Sequence, residues 1–268
     1  MNKYIANSGI CSRREADKLI AAGKVRVNGA VPELGTKIFA QDAVSVAGKA
    51  INAVAADKSD RIYIAYHKPV GITCTTERHI PGNIIDAIKH PKRIFPIGRL
   101  DKPSEGLILL TSDGDIVNKI LRAENSHDKL YRVTVDKPIT SRFIGTMSSG
   151  VPILDTMTKP CTVTQVSKFS FDIVLTQGLN RQIRRMCEYL TYEVETLKRV
   201  RIMNIKLDMP VGEYRDLTKD EFSELNDLIS TSTKEYKSNL EQKKRSIFIL
   251  LLQINASSVY VVNLYILH

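Results

Sequence analysis

Residues 98–111, Gly98-Arg-Leu-Asp-Lys-Pro-Ser-Glu-Gly-Leu-Ile-Leu-Leu-Thr111, join a polar loop without a break to an apolar run. Leu107 to Leu110 is too short a run for a helix and predicts a strand covered on both faces. Gly98 and Gly106 bracket the loop, and glycine lets a backbone turn or come close to a ligand. A carboxylate held on a loop that a buried strand anchors, here Asp101, is a candidate nucleophile or general base. Taken alone, Arg99 and Asp101 read more readily as a solvated surface pair, the usual state of such residues on a loop.

The remainder of the chain has to supply a scaffold and a partner for that loop. A length of 268 residues allows one large domain, or a small one followed by a medium one. Lys and Arg number 39 against 29 Asp and Glu, a net charge of +10 that points to a polyanion, nucleic acid first. Cys11, Cys74, Cys161 and Cys187 are scattered with no Cys-x-x-Cys spacing, which argues against a disulfide framework or zinc site and for a reducing, cytoplasmic setting. His67, His79, His90 and His127 have no metal-ligand spacing, so no metal is expected. Met1-Asn2-Lys3-Tyr4 has none of the apolar character of a secretion signal.

Residues 1–50 read as a module of their own. Ser12-Arg13-Arg14-Glu15 is a capping box, Ala16, Leu19 and Ile20 share one helical face, and Gly23 is placed to end the helix. Val25-Arg26-Val27 predicts a short strand closed by an Asn28-Gly29 turn. Arg13, Arg14, Lys18, Lys24 and Arg26 make this module basic; a plain solvated face is the alternative to a ligand surface. Residues 51–60, small and polar, predict a linker. Beyond it, 61–66 predict a strand and His67-Lys-Pro-Val-Gly71 a turn, followed by brief helices over 83–90 and around Ile116 and Ile120. Lys129 to Val135 alternates as a strand, 151–166 predicts a strand pair, and Phe169, Phe171, Ile173 and Leu175 mark a half-buried strand. Asn180 is placed to cap a helix with apolar Ile183, Met186, Cys187 and Leu190 on one face and Arg181, Arg184 and Arg185 on the other. Three like charges so close call for an anion, whether RNA phosphate, an acidic surface or a buried carboxylate.

Three of these stretches resemble known families. Cys-Ser-Arg-Arg-Glu-Ala-Asp-Lys-Leu-Ile with Gly-Lys-Val-Arg-Val-Asn-Gly resembles the S4 RNA-binding domain. Gly-Arg-Leu-Asp-x-x-Ser-x-Gly-Leu-x-Leu-Leu-Thr resembles the signature of the pseudouridine synthases that modify ribosomal RNA, with Ser104 where most members carry Thr. Leu-Thr-Gln-Gly-Leu-Asn-Arg-Gln-Ile-Arg-Arg-Met resembles the third motif of the same family, and Gly-Val-Pro-Ile-Leu with Arg-Ile-Met-Asn-Ile is most similar to its RluF-type branch.

The resemblance, over residues 1 to 232, implies an α+β protein: a small S4-type α/β RNA-binding domain, then, over 61–232, a catalytic domain around a mainly antiparallel mixed sheet. It implies an isomerase that needs no cofactor and acts on ribosomal RNA, 23S first and tRNA second, as a monomer with no membrane partner. By the same resemblance Asp101 is the nucleophile, Tyr131 stacks on the target base, and Arg184 pairs with Asp101. Arg13, Arg14, Lys18, Lys24, Arg26, Arg181 and Arg185 become RNA contacts. Arg99 holds the loop or fills the gap left by a flipped base. Attack at C1′, attack at C6 and a glycal route stay open.

Two other classes compete. A pure RNA-binding protein would have no reason to keep Asp101, Tyr131 and Arg184 together in their motifs. An RNA methyltransferase should show a glycine-rich strand-to-helix turn, and no Gly-x-Gly-x-x-Gly is present. Residues 233–245 predict a polar link and 246–268 an apolar tail, open to a docking element, a membrane contact or an extension without function.

Overall fold

The computed structural model describes residues 1–33, 35–51, 61–121 and 127–230, all within one compact unit. The first module opens with helix α1 (Asn2–Asn7), which the sequence pattern did not announce, and α2 (Arg13–Ala21). Ser12 caps α2 by accepting from the Glu15 N–H at 3.1 Å. At the other end Gly23 takes φ +64°, and the Gly23 and Lys24 N–H groups donate back to Ile20 and Leu19, closing the helix as a Schellman motif. Strands β1 (Val25–Val27), β2 (Val44–Val46) and β3 (Lys49–Ile51) form an antiparallel sheet against these helices. Asn28 and Gly29 both have positive φ, as the tight turn between Val27 and Ala30 requires. Ile5, Ala16, Ile20, Val25, Val44, Val46 and Ile51 bury together as this module's core. β3 thus ends at Ile51, the first residue read as linker; the rest of that stretch lies outside the described residues.

The larger part is organised by a nine-stranded sheet. In chain order its elements are β4 (Tyr63–Lys68), α3 (Ile84–Ile88), β5 (Phe95–Ile97), β6 (Glu105–Thr111), α4 (Gly114–Leu121), β7 (Lys129–Val135), α5 (Ser141–Ser149), the small hairpin β8 (Pro152–Ile153) and β9 (Thr156–Met157), β10 (Thr162–Gln165), β11 (Ser170–Leu175), α6 (Gln182–Tyr189), β12 (Val194–Ile202), β13 (Ile205–Lys206), β14 (Tyr214–Asp216) and α7 (Lys219–Leu228). The main path is β10-β11-β7-β12-β6-β4-β14, with β13 paired to β12 and β5 to β6. All of these pairings are antiparallel except β6–β12, which is parallel.

That parallel seam positions the motif loop. Glu105 and Gly106 pair with Lys198 and Arg199. A Cβ on Gly106, whose φ is +116°, would stand 2.4 Å from the Arg199 carbonyl oxygen, so only glycine allows the two backbones to approach this closely. From Gly106 to Thr111, β6 is buried, as its apolar run predicts. Three apolar clusters cover the sheet: one under α5 and α6, one under α4 and α7, and one under α3. Tyr131 packs against the first and the third, so β7 meets the boundary of two cores.

Several local readings shift. β4 runs through His67 and Lys68, which sequence alone puts in the turn. The fully buried Lys68 donates to the Pro69 and Ile72 carbonyls, and His67 bridges the Met209 carbonyl and the Glu105 carboxylate. Residues 151–166 split, with β8–β9 a separate hairpin and β10 joining the main sheet. The α6 cap position is Arg181 in a left-handed conformation, φ +49°, with no side-chain cap from Asn180. Asn180 instead accepts from Arg185 through its carbonyl and its side-chain oxygen.

Candidate active site

The loop 98–104 is tied down before any ligand arrives. The Ser104 N–H donates to the Asp101 carbonyl at 3.0 Å, and the Gly71 N–H donates to the Lys102 carbonyl at 2.8 Å. The turn after Lys68 therefore braces the loop carrying Asp101. The Leu100 N–H meets the Cys74 sulfur at 3.4 Å. From the opposite side, Arg184 reaches out of α6 and fixes three points at once. It donates to the Val194 carbonyl at 3.0 Å, to the Pro103 carbonyl at 3.2 Å and to the Ser104 hydroxyl at 3.4 Å.

The ion pair at Asp101 corrects the expectation built on Arg184. Arg181 stands nearest, with its Nη1 at 3.9 Å from Asp101 Oδ2. Arg184 spends its planar fork on loop and strand oxygens, a use for which five fixed donors suit arginine. Its pKa is lowered by burial first and by the charge of Arg181 second, while Asp101 acts the other way. Arg184 thus feels the Asp101 carboxylate but does not grip it.

A cleft of about 260 Å³ opens at this junction, lined among others by Arg99, Asp101, Tyr131, Arg181, Arg184 and Arg199. A wider groove of about 910 Å³ shares Arg99, Asp101 and Arg181 with it and extends to Arg14 on α2. Arg14 also approaches Glu77, at 3.7 Å, and Lys3 pairs with Asp115 on α4 at 2.6 Å, so the basic module packs beside the groove. The combination is a groove lined by Arg14, Arg99, Lys102 and Arg181 that leads to a pocket with one carboxylate. It suits a polyanion whose reacting group must enter a confined space.

Comparison with known proteins decides the class. Residues 62–189 match the family model for RNA pseudouridylate synthase, and residues 2–37 match the S4 domain. The chain is 56% identical over 247 residues to the dual-specificity RNA pseudouridine synthase RluF of Salmonella typhi, covering 92% of this chain and 85% of that protein. It is 54% identical to the protein of the same name from Escherichia coli (strain K12), covering 92% and 84%. Identity to the ribosomal large subunit pseudouridine synthase B of Bacillus subtilis is 34%, covering 85% and 96%. Among solved structures, a pseudouridylate synthase crystal structure superposes with a TM-score of 0.62 at 26% identity, covering 84% of this chain and 98% of that one. The chain belongs to the RNA pseudouridine synthase family.

In the synthase, the candidates brought together are Asp101, Tyr131, Arg184, Arg99 and Arg181, all on the cleft. Arg185 is not among them, because its guanidinium is turned back onto Asn180. On the basic module Arg13, Arg14, Lys18, Lys24 and Arg26 are all exposed, and of these Arg14 lines the groove. Arg13 and Arg26 make long contacts to Asn2 and to the Gly29 carbonyl. Among the described residues no group of three or more His, Cys, Asp or Glu is placed to hold a metal, and no helix is long and apolar enough to cross a membrane. The tail expectations for 233–268 lie outside the described residues.

Sequence reasoning passed over two cleft residues. Lys129 starts β7 and Arg199 sits in the middle of β12, only 8% and 4% exposed. The Arg199 guanidinium lies 5.9 Å from the centre of the Tyr131 ring and donates through Nε to the Leu107 carbonyl at 2.7 Å. Their inward-facing positions on β7 and β12 emerge only once the strands are packed.

Proposed function

We propose that the synthase converts a uridine of 23S ribosomal RNA to pseudouridine, with Asp101 as nucleophile and the uridine flipped from its helix or loop into the cleft. The reading is supported above all by one observation: Asp101, Tyr131 and Arg184 line a single cleft whose mouth opens on a cationic groove. Enzymes that act on a base take it out of the stack, and a pocket of this size beside a channel fits that need. Exposed cations along the groove hold phosphates and set register, while the cleft does the chemistry.

In this reading the Asp101 carboxylate attacks the nucleoside, the N1–C1′ bond breaks, the base turns, and C5 bonds to C1′. Tyr131 stacks on the base, Arg181 keeps the carboxylate beside a cation, and Arg184 holds the loop in place. Arg99, exposed at the cleft mouth, occupies the space the flipped nucleotide leaves. The RluF relatives are named dual-specificity enzymes, so we take tRNA as the second RNA to test.

Pseudouridine mapping by carbodiimide adducts and primer extension on unmodified 23S RNA tests this. The wild-type protein is expected to produce a new stop at a discrete uridine, and Asp101→Asn, with its fold intact by thermal melting, none. Pseudouridine made by both proteins would remove Asp101 as nucleophile. Activity on 16S RNA or tRNA without any on 23S would overturn the choice of substrate.

A further inference from the structure

Lys129 and Arg199 raise a question that holding the fold together does not answer. Both are more than nine-tenths buried, both line the cleft, and neither forms an ion pair with a carboxylate among the described residues. Lys129 donates to the His127 carbonyl at 2.9 Å. Arg199 donates from Nε to Leu107, and its buried Nη2 has no hydrogen-bond partner among the described residues. Burial, and then the charge of Arg199, bring the Lys129 ammonium down to about 8. A buried cation without a counter-charge is unfavourable, and two neighbouring ones more so. Such an arrangement persists where an anion completes it.

The reaction supplies one. When Asp101 attacks C1′, the N1–C1′ electron pair passes to the base and spreads over N1, O2 and O4. When it adds instead at C6, the displaced pair goes to C5 and O4, and the N1–C1′ bond then breaks with its pair passing to N1. Along either route the ring becomes anionic. C5 then bonds to C1′, Asp101 leaves with its own electron pair, C5 releases a proton to solvent and N1 takes one up, so the product is an isomer of the substrate. Negative charge that exists only while the base is detached is best met by cations fixed in advance and shielded from water.

We propose that Lys129 and Arg199 form a cationic floor that receives the uracil ring and stabilises the negative charge it acquires during isomerisation. The assignment rests on the Asp101 cleft as the place where the base is held. Phosphates keep to the exposed groove, while these two side chains line the cleft together with Tyr131, the residue proposed to stack on the base. They therefore act on the reacting ring and contribute little to RNA affinity.

The test uses one transcript containing the target site, made with uridine or with 5-fluorouridine, and single-turnover rates at saturating enzyme. Fluorine withdraws charge from the ring, so a fluorinated base depends less on external cations. Loss of the N-glycosidic nucleoside is followed by chromatography after nuclease digestion. Lys129→Met and Arg199→Gln are each expected to slow the uridine transcript roughly 10²-fold, a usual loss for one stabilising group. The slowing should be at least about fivefold smaller on the fluorinated transcript, and Lys129→Arg should recover part of the rate. RNA affinity, measured in the Asp101→Asn background, is expected to hold within about threefold, since the groove supplies it.

Equal slowing on both transcripts, or wild-type rates in both variants, overturns the proposal. So does a fall in affinity with the saturated rate kept, which would make the pair a phosphate contact. If Arg199→Gln does not fold, Lys129→Met against Lys129→Arg decides the matter alone. Should wild type make pseudouridine while Asp101→Asn does too, the cleft reading has failed, an outcome separate from these.

Discussion

The molecule carries cations in two regions that obey different physics. On the N-terminal module, Arg13, Arg14, Lys18, Lys24 and Arg26 stand in solvent. In the cleft, Lys129 and Arg199 are buried and Arg184 is half-buried. Exposed charges are screened within about 10 Å at moderate salt, cost the fold almost nothing and act on a polyanion at a distance. Buried ones lose hydration, weaken the folded state and act only on what touches them. A large net positive charge therefore points to a polyanionic partner, and says nothing about where the chemistry lies. The rarer, unfavourably placed cations carry that information.

Changes at Arg184 should separate the two regions most sharply. Arg184→Lys keeps a positive charge but cannot reach the Val194, Pro103 and Ser104 oxygens together. The loop bearing Asp101 should then drift, and the saturated single-turnover rate should fall roughly 10²-fold, the usual penalty for a misplacement near 1 Å. Full activity in Arg184→Lys would mean that charge, not position, is what this residue supplies.

A smaller effect concerns stability and has the opposite sign. Lys129 titrates near 8 in the folded protein against 10.5 for the ordinary side chain. Between those values the unfolded chain holds a proton that the folded one lacks, so this lysine makes stability rise with pH. Below about 8 both states are charged and the full burial penalty remains. Its neighbours are Arg199 on β12, which lowers it further, and Asp128, which opposes that. Lys129→Met should therefore be more stable than wild type by roughly 1–3 kcal/mol at pH 7, with the gap closing towards pH 10. Urea unfolding at the two pH values measures this. A variant less stable at pH 7 would place Lys129 among ordinary packing residues.

The smallest effect belongs to the exposed set. Arg14→Ala should weaken RNA binding a few-fold at moderate salt and reduce the slope of log affinity against log salt by roughly one. The loss should appear in KM. A loss confined to kcat would show that the module reaches the chemistry and would erase the distinction drawn here.

What the sequence made legible follows the same division. The continuous apolar run at Leu107–Leu110, the alternation from Lys129 to Val135 and the Ser12 cap are local signals, and each became the expected element. α5 was missed although Thr140 caps it and Phe143 and Met147 anchor it, because a short helix rich in Ser and Thr has little periodicity to read. α7 had a full capping box, Thr218 with Glu221, that went unused. The partner of Asp101 was misassigned for a different reason. Arg181 and Arg184 both lie near the start of α6, and which of them faces the carboxylate depends on Arg181 taking a left-handed backbone, something no side-chain pattern encodes. The buried cations needed tertiary structure, since a lysine at the start of a strand looks the same whether or not another strand covers it.

One residue without a side chain sets a limit on how this protein can change. Because Gly106 presses directly on the Arg199 backbone, the strand bearing Arg199 and the loop bearing the proposed nucleophile share one fixed reference point. The chain between Asp101 and Gly106 then works as a ruler: one residue more or less would carry the carboxylate away from Arg181. New RNA targets must come from the groove and the basic module, where side chains can be exchanged freely. The position of the Asp101 loop relative to β12 is written into the seam and has no slack.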